Sequence, residues 1–352
     1  MQATLNLAGL GWSPFFAEAF APFAADGLVP GRVTVQHRGA YVVHTEAGEL
    51  SAEVTGRLRH DAASTADLPA VGDWIAARPG DPLLIHAVLP RRTKFSRRAA
   101  GAETEEQVVA ANVDVVFLVS ALAGDLNARR LERYLALGWE SGAEPAVVLT
   151  KADLCEDVTA ALAEVEAIAV GVPVHAVSNL TGAGLDELRP YFAGGRTIAV
   201  LGSSGVGKST LVNRLAGRDL QAVAEVRADG RGRHTTTRRE LVSLPGGGLV
   251  LDTPGMRELG LWDASGGVEG VFEDVGALAA RCRFPDCAHE TEPGCAVRVA
   301  LEDGSLDAER LAGYRKLEGE LRHLELKTDK RARSEERKKW RRFARSRRKT
   351  VW

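Results

Sequence analysis

The sequence predicts an α/β protein with three parts: a small N-terminal β-barrel, a doubly wound domain with a mostly parallel sheet, and a C-terminal helical domain that binds a metal. Three observations lead to this prediction. Short alternating apolar runs fill residues 31–98, longer β-branched runs alternate with helical segments in residues 107–263, and three cysteines cluster within residues 264–352. A chain of 352 residues with 45% hydrophobic residues is long enough to bury more than one core.

The N-terminal extension and the barrel come first along the chain. In residues 1–30, aromatic side chains recur at helical spacing between Trp12 and Phe23, which predicts a small helix that packs on another element. Barrel strands are predicted at residues 32–35, 41–44, 50–58, 74–76 and 83–88. Five short strands separated by turn residues favour an OB-fold, and we expect this one to bind RNA.

The central region has the pattern of a parallel sheet covered by helices. Apolar β-branched runs predict strands at residues 113–119, 146–149, 172–177, 197–201 and 248–251. A helical pattern at residues 128–137 lies between two of them. Sheets of this type bind ligands beyond the carboxyl ends of their strands. Motifs that directly follow these runs are therefore the first candidates for a site.

The strongest motif follows the run at residues 197–201. Residues 202–209 read GSSGVGKS and fit G-x-x-x-x-G-K-[ST], the phosphate-binding P-loop. In such a loop backbone N–H groups surround the phosphates, Lys208 reaches the β and γ oxygens, and the Ser209 hydroxyl binds Mg²⁺. A glycine-rich turn is the alternative, which the preceding strand disfavours. The residues predicted to bind the nucleotide here are Gly202, Ser203, Ser204, Gly205, Val206, Gly207, Lys208, Ser209 and Thr210.

Two further loops predict which base is bound. Thr150, Lys151 and Asp153 form T-K-x-D directly after an apolar run and resemble the guanine-reading motif of GTPases. The Asp153 carboxylate can accept hydrogen bonds from guanine N1–H and N2–H, which adenine lacks, while Lys151 would lie over the ring. Ser178 and Asn179 end the next run and resemble the loop whose backbone N–H meets guanine O6. GTP is therefore the expected substrate, and Asp153 argues against the alternative of an ATPase or kinase.

Two downstream segments are predicted to hold Mg²⁺ and to sense the γ-phosphate. An apolar run leads into D-x-P-G, in which Asp252 would hold Mg²⁺ through water and the Gly255 N–H would contact the γ-phosphate. Before it, the glycine-rich segment DGRGRHTTT carries a threonine that should complete the Mg²⁺ shell. We favour Thr236, with Thr235 as the alternative.

Hydrolysis also needs a group that orients the attacking water. In Ras-like enzymes a glutamine after the D-x-x-G glycine does this, but Met256 occupies that position here, and a thioether cannot. His234 is the best candidate in the chain, and a surface histidine with the water oriented by a partner is the equal alternative. Low intrinsic turnover is therefore expected, with Lys208, Thr236 and His234 as the catalytic residues.

The motifs occur in an unusual order. The base motif stands at position 150, the second base loop at 178, the P-loop at 202, the threonine segment near 234 and D-x-P-G at 252, whereas ordinary GTPases begin with the P-loop. A circular permutation explains this, because the termini of a domain often lie close together and a shifted chain break leaves the strand-edge loops in place. The γ-phosphate sensor then stands beside the C-terminal domain, to which the nucleotide state could be transmitted.

The clustered cysteines predict a structural metal site. Cys282, Cys287, His289 and Cys295 follow the pattern C-x4-C-x-H-x5-C within 14 residues. Three thiolates and one imidazole suit a single tetrahedral Zn²⁺ with no open position for catalysis. Three unrelated buried cysteines are the alternative, which this density disfavours. Cys155 stands far from the cluster, and we interpret it as ordinary packing.

Charge is segregated along the chain. The formal net charge is −2, but residues 327–349 carry +10 and leave −12 for the rest. This basic tail and a second basic run at residues 91–98 predict an anionic partner. A solvated basic helix without a partner is the alternative, and RNA binding is favoured because a barrel and a zinc module accompany the two runs. No apolar run approaches the roughly 20 residues of a membrane span, so no membrane contact is expected. We expect a monomer in the reducing cytoplasm.

Several motifs together resemble the ribosome small-subunit-dependent GTPase A (RsgA) family: the permuted order, GSSGVGKS, GRGRHTTT, DTPGM, the cysteine pattern, and AVGDW at residues 70–74. The resemblance begins near Gly31 and leaves the first 30 residues and the basic tail unmapped. It implies an OB-fold, a permuted GTPase and a zinc domain that bind the small ribosomal subunit and its rRNA late in maturation, with hydrolysis stimulated by that subunit. The alternative is a nucleotide-gated RNA-binding module in which hydrolysis is incidental.

Overall fold

A computed structural model describes residues 6–37, 39–98, 106–217, 239–245, 247–252 and 265–328. The strands in this part of the chain are β1 (Val29–Gln36), β2 (Tyr41–Thr45), β3 (Gly48–Val54), β4 (Trp74–Arg78), β5 (Leu83–Val88), β6 (Lys94–Arg98), β7 (Glu106–Ala111), β8 (Val115–Ala121), β9 (Glu144–Thr150), β10 (Val174–Ala176), β11 (Thr197–Gly202), β12 (Arg239–Ser243) and β13 (Leu249–Asp252). The α-helices are α1 (Pro14–Ala24), α2 (Gly56–Asp61), α3 (Ala128–Ser141), α4 (Val158–Ile168), α5 (Lys208–Ala216), α6 (Ser265–Val271), α7 (Glu273–Ala279), α8 (Ala296–Glu302) and α9 (Ala308–Thr328).

Strands β1 to β5 close into a barrel. They pair in the order β1-β2-β3-β5-β4, and β4 returns to pair with β1. β3 and β5 run parallel, while the other pairs are antiparallel, which is the connectivity of an OB-fold and confirms the prediction. The pattern at residues 50–58 predicted one strand, and this prediction is wrong. The strand ends at Val54 because the Thr55 hydroxyl accepts a hydrogen bond from Leu58 N at 3.3 Å and so begins α2.

The central region is a doubly wound sheet, as predicted. Neighbouring strands β10-β9-β8-β11-β13 all run parallel, and β12 pairs antiparallel with β13. Successive side chains of β8 enter opposite cores: Leu118 packs with residues of α3 and α4, whereas Phe117 packs with residues of α5. Helices on both faces bury this sheet, and the carboxyl ends of its strands are left for loops.

The barrel and the doubly wound sheet form one continuous sheet. Val35 of β1 pairs antiparallel with Glu240 of β12, so β12 lies between the two parts. The N-terminal extension also packs here, as predicted. The Trp12 and Phe16 rings of this extension lie 4.7 and 5.7 Å from the Trp74 ring of the barrel, measured between centroids.

Arg32 joins four segments at this junction. Its guanidinium is fully buried and donates to the carbonyl oxygens of Leu10, Gly72 (3.2 Å) and Asn112 (3.0 Å) and to Thr197 Oγ1 (2.8 Å). These acceptors belong to the N-terminal extension, the barrel, the β7–β8 connection and the first residue of β11. Desolvation by burial lowers the pKa of Arg32 to about 10, so the group remains a cation at neutral pH.

The C-terminal helices pack on α3. A Cβ atom at Gly267 of α6 would lie 2.1 Å from the Ala136 carbonyl oxygen, so only glycine permits this approach of α6 to α3. Arg310 of α9 completes the contact through Glu132 of α3 at 3.2 Å and Asp274 of α7 at 3.1 Å. Within the described ranges, the helices are too short or too polar to cross a membrane.

Candidate nucleotide site and metal centre

The permuted motifs converge at one edge of the sheet. β9 ends at Thr150, β11 at Gly202 and β13 at Asp252, and β8, which runs parallel to β9 and β11, lies between them. Parallel neighbours present their carboxyl ends on the same edge, where doubly wound sheets bind ligands. Residues far apart in sequence therefore contribute to one candidate site.

The backbone of the P-loop requires glycine at two positions. Gly207 has φ of 91°, and a Cβ there would lie 2.9 Å from Asn179 Nδ2. A Cβ at Gly202 would lie 2.3 Å from the Val119 carbonyl oxygen of β8. Any side chain at these two positions would move the loop away from its neighbours, which explains the glycines in the motif.

Lys208 begins α5 directly after the loop. Its ammonium donates to the carbonyl oxygens of Gly202, at 2.7 Å, and Ser203, so the cation lies against the loop backbone. Ser209 and Thr210 occupy the next two positions of α5. A helix N-terminus and a lysine at the same loop make an anion-binding site, which suits the phosphates of a nucleotide.

The two base loops are hydrogen-bonded to the P-loop, which the sequence did not predict. Thr150 is fully buried and its hydroxyl donates to the Val206 carbonyl oxygen at 2.5 Å. Asn179 Nδ2 donates to the Gly207 carbonyl oxygen at 3.1 Å. Sequence reasoning gave Thr150 and Asn179 roles toward the base. In the structure, their side chains join the two base loops to the P-loop. The distance between the base loops and the phosphate-binding loop is therefore fixed.

Asp153 is exposed at this edge and has a defined orientation. The buried Ser178 hydroxyl donates to Asp153 Oδ1 at 2.5 Å and accepts a hydrogen bond from Thr181 N at 3.1 Å. Lys151 adopts a left-handed backbone conformation with φ of 59°, which turns the chain between β9 and Asp153. Ser178 therefore orients the carboxylate that is predicted to read guanine, a role that no sequence signal indicated.

Part of the predicted site lies outside the described residues. His234, Thr235, Thr236, Gly255 and Met256 are in this group, as is the basic tail from residue 329 onward. Asp252 is described as the last residue of β13. The predicted roles of these residues in Mg²⁺ binding, γ-phosphate sensing and catalysis stay predictions.

The four predicted metal ligands converge. One ligand atom from each of Cys282, Cys287, His289 and Cys295 lies within 4.8 Å of all the others. The Cys282 and Cys295 sulfurs are 3.8 Å apart, and His289 Nδ1 lies 3.5 and 3.4 Å from them. Tetrahedral Zn²⁺ with bonds of about 2.3 Å to sulfur and 2.05 Å to nitrogen requires about 3.8 and 3.5 Å between ligand atoms. The cluster therefore fits a structural zinc site.

The electrostatics of the cluster also favour a bound cation. Desolvation and the neighbouring sulfurs of Cys295 and Cys282 raise the pKa of Cys287 to about 11. Despite desolvation by burial, hydrogen bonds from the backbone N–H groups of Val297 and Ala296 instead lower the pKa of Cys282. Three thiolates this close together oppose one another's ionisation, and a bound cation would offset that repulsion.

The basic run at residues 91–98 differs from its prediction. Arg91 was expected on an RNA-binding surface, but its guanidinium donates to both carboxylate oxygens of the buried Asp73, at 2.8 and 2.7 Å. Lys94 pairs with Glu106 at 2.7 Å across the β6–β7 hairpin. Both cations are therefore paired with carboxylates of the protein itself, so the charge run alone overstates the basic surface.

Comparison with known proteins gives consistent matches. The family model described as RsgA GTPase matches residues 88–262. A protein named small ribosomal subunit biogenesis GTPase RsgA from Opitutus terrae is 50% identical over 96% of this chain and 96% of its own length. A relative of the same name from Streptomyces coelicolor is also 50% identical, over 96% of this chain and 92% of its own.

Two solved structures share the fold. YjeQ from Thermotoga maritima superposes with a TM-score of 0.63 and 28% identity, over 84% of this chain and 98% of that one. YloQ, described as a circularly permuted GTPase, gives a TM-score of 0.60 at 24% identity, over 84% of this chain and 96% of that one. The predicted permuted GTPase fold is therefore confirmed.

Proposed function

This chain belongs to the RsgA GTPase family, and from that premise we propose that it binds the small ribosomal subunit, acts late in the maturation of that subunit, and hydrolyses GTP with turnover that the subunit stimulates. The single observation that carries the nucleotide part is the pair of hydrogen bonds from Thr150 and Asn179 to the P-loop. These bonds set a base-reading loop and a phosphate-binding loop at a fixed separation. The names of relatives at 50% identity support the ribosomal part.

Different residues of the chain bind the phosphates, the base and the Mg²⁺ ion. Lys208 contacts the β and γ oxygens, Asp153 binds guanine, and Ser178 holds the Asp153 carboxylate in position. Ser209, Thr236 and Asp252 would hold Mg²⁺, which supplies charge neutralisation at the β and γ oxygens when bound. With Met256 in place of a water-orienting glutamine, intrinsic turnover is slow. His234 or a group from the subunit then orients the attacking water.

The other parts of the chain serve docking. The barrel and the basic tail contact rRNA, and one structural Zn²⁺ held by Cys282, Cys287, His289 and Cys295 stabilises the C-terminal domain. We infer that the protein acts as a cytoplasmic monomer. A nucleotide-gated RNA-binding module, in which hydrolysis is incidental, is the second candidate, because the basic tail and barrel alone would suffice for it.

Sedimentation with purified small subunits tests the binding proposal. The full chain should sediment with the subunits in the presence of a non-hydrolysable GTP analogue and less so with GDP, because the γ-phosphate orders the loops that contact the partner. Large subunits serve as the matched control. Equal sedimentation with large and small subunits, or none with either, would overturn the proposed partner.

A further inference from the structure

The second base loop, residues 178–183, is held by hydrogen bonds rather than by packing. Leu180 and Thr181 are exposed, Leu180 to 74%. Ser178 N donates to the Ala183 carbonyl oxygen at 2.9 Å and closes the loop. A loop with few buried apolar contacts opens easily, so the contacts that reach it from other elements decide how well it is ordered.

One such contact comes from the helix that follows the P-loop. Arg214, in the last turn of α5, donates from its guanidinium to the Leu180 carbonyl oxygen at 3.0 Å. Within the described residues this is the one polar contact of the Arg214 side chain. A cation is favoured at this end of a helix, because the negative end of the helix dipole lies there.

The contact continues through the loop to the residue that is predicted to read guanine. The Leu180 carbonyl shares a peptide group with the Thr181 N–H, which donates to Ser178 Oγ at 3.1 Å. The Ser178 hydroxyl in turn donates to Asp153 Oδ1 at 2.5 Å. One chain of hydrogen bonds therefore runs from the guanidinium to the carboxylate, and every donor in it points the same way. Hydrogen bonds in series polarise one another, so a charged donor at one end strengthens those that follow.

A separate anchor lies at the other end of α5. Asn179 Nδ2 donates to the carbonyl oxygen of Gly207, the N-cap residue of this helix. This bond does not involve Arg214, so it remains when Arg214 is replaced. Loss of Arg214 should therefore loosen the part of the loop beyond Asn179 without releasing the loop from the helix.

We propose that Arg214 is a positioning residue for guanine recognition, which orders the base loop and through Ser178 orients the Asp153 carboxylate. The proposal rests on the proposed function, because that function assigns the reading of guanine to Asp153. Arg214 acts through this chain, so its removal should weaken the binding of guanine nucleotides and leave phosphate binding unchanged. The helix that begins at the P-loop then also sets the preference for the base.

The first test compares GDP and ADP by competition against mant-labelled GDP on the full chain. Arg214→Met removes the charge and the donors, and GDP affinity should fall about fivefold, the weight of one partly solvated hydrogen bond. ADP carries the same phosphates but offers Asp153 neither an N1–H nor an N2–H donor, so its affinity should not change. Arg189→Met removes another exposed cation, paired with Asp186 at 2.6 Å, and should change GDP affinity less than about twofold. Equal losses for GDP and ADP, or no loss of GDP affinity, would overturn the proposal.

A double substitution tests the route through Ser178. Ser178→Ala cuts the chain between the loop and the carboxylate, so adding Arg214→Met in that background should cost less than about twofold in GDP affinity. The full fivefold loss in the Ser178→Ala background would contradict the chain.

Asp153→Asn separates this proposal from the base assignment on which it rests. If Asp153→Asn keeps the preference for guanine, both fail. If it loses that preference while Arg214→Met binds GDP like the wild type, only the role of Arg214 fails. Binding of GDP needs no small subunit, so neither result depends on the ribosomal part of the proposed function.

Discussion

Replacing Thr150 with valine tests whether the base loop and the P-loop act as one unit. Valine keeps the shape of the side chain and replaces the hydroxyl with a methyl group. The hydroxyl donates to the Val206 carbonyl oxygen at 2.5 Å and lies 3.2 Å from the Ser120 carbonyl oxygen. A hydroxyl has one proton, so the shorter contact to Val206 is the hydrogen bond. The substitution leaves that P-loop carbonyl without its donor in a fully buried environment.

The cost follows from the unsatisfied acceptor. Leaving a buried carbonyl without its partner costs roughly 1–3 kcal/mol. If about 2 kcal/mol of this falls on the nucleotide-bound state, GDP affinity drops about 30-fold, and any part borne by the fold itself lowers the melting temperature by a few degrees. We therefore expect a 5- to 30-fold loss, since roughly 1–2 kcal/mol of the cost should reach the bound state.

Fluorescence titration with a mant-labelled GDP measures the affinity, and thermal unfolding without nucleotide measures the share borne by the fold. Thr150→Ser is the matched control, because it restores a donor at the same position and should bind within about threefold of wild type. Wild-type affinity in Thr150→Val would refute the reasoning. So would a Thr150→Ser variant as weak as Thr150→Val.

Three other substitutions test the remaining parts of the account. Asp153→Asn should lower GTP affinity by about 100-fold or more, because an amide N–H₂ would face the donors of guanine. Competition between GTP and ATP measures this effect, and an unchanged preference for GTP would disprove the base assignment. Cys295→Ser should remove zinc from the purified protein by elemental analysis, whereas Cys155→Ser, outside the cluster, should retain one ion per chain. A zinc-loaded Cys295→Ser variant would disprove the ligand set. Arg32→Met should destabilise the fold by roughly 4 kcal/mol, because four buried acceptors lose their donor, and denaturant unfolding that matches wild type would contradict this role.

Local patterns predicted the parts of the structure that depend on neighbours in sequence. Most barrel strands, the five parallel strands of the central region, the P-loop and the cysteine cluster each follow from residue types at short spacing, so they could be found without a structure. Strands β6, β7 and β12 were not predicted. The structure explains two residues of the AVGDW segment. Asp73 binds Arg91, and the Trp74 ring packs against the rings of Trp12 and Phe16.

Contacts between distant residues could not be predicted in the same way. Thr150 and Val206 are 56 positions apart, and the sequence shows only that each belongs to a motif, not that one donates to the other. Arg32 occupies an outward position in an alternating run, which normally indicates solvent, yet it is 1% exposed because the N-terminal extension and β11 cover that face of β1. The charge run at residues 91–98 misled for the same reason, since the carboxylate that binds Arg91 lies 18 positions away.

The rate of GTP hydrolysis with and without purified small subunits tests the central claim most directly. At saturating GTP, the full chain alone should turn over slowly, and the subunits should accelerate it by roughly 100-fold or more, as expected when a partner completes the catalytic groups. Lys208→Ala controls for contaminating GTPases and should remain inactive under both conditions. Equal turnover with and without subunits would contradict the account and leave the nucleotide-gated RNA-binding module as the function of the chain.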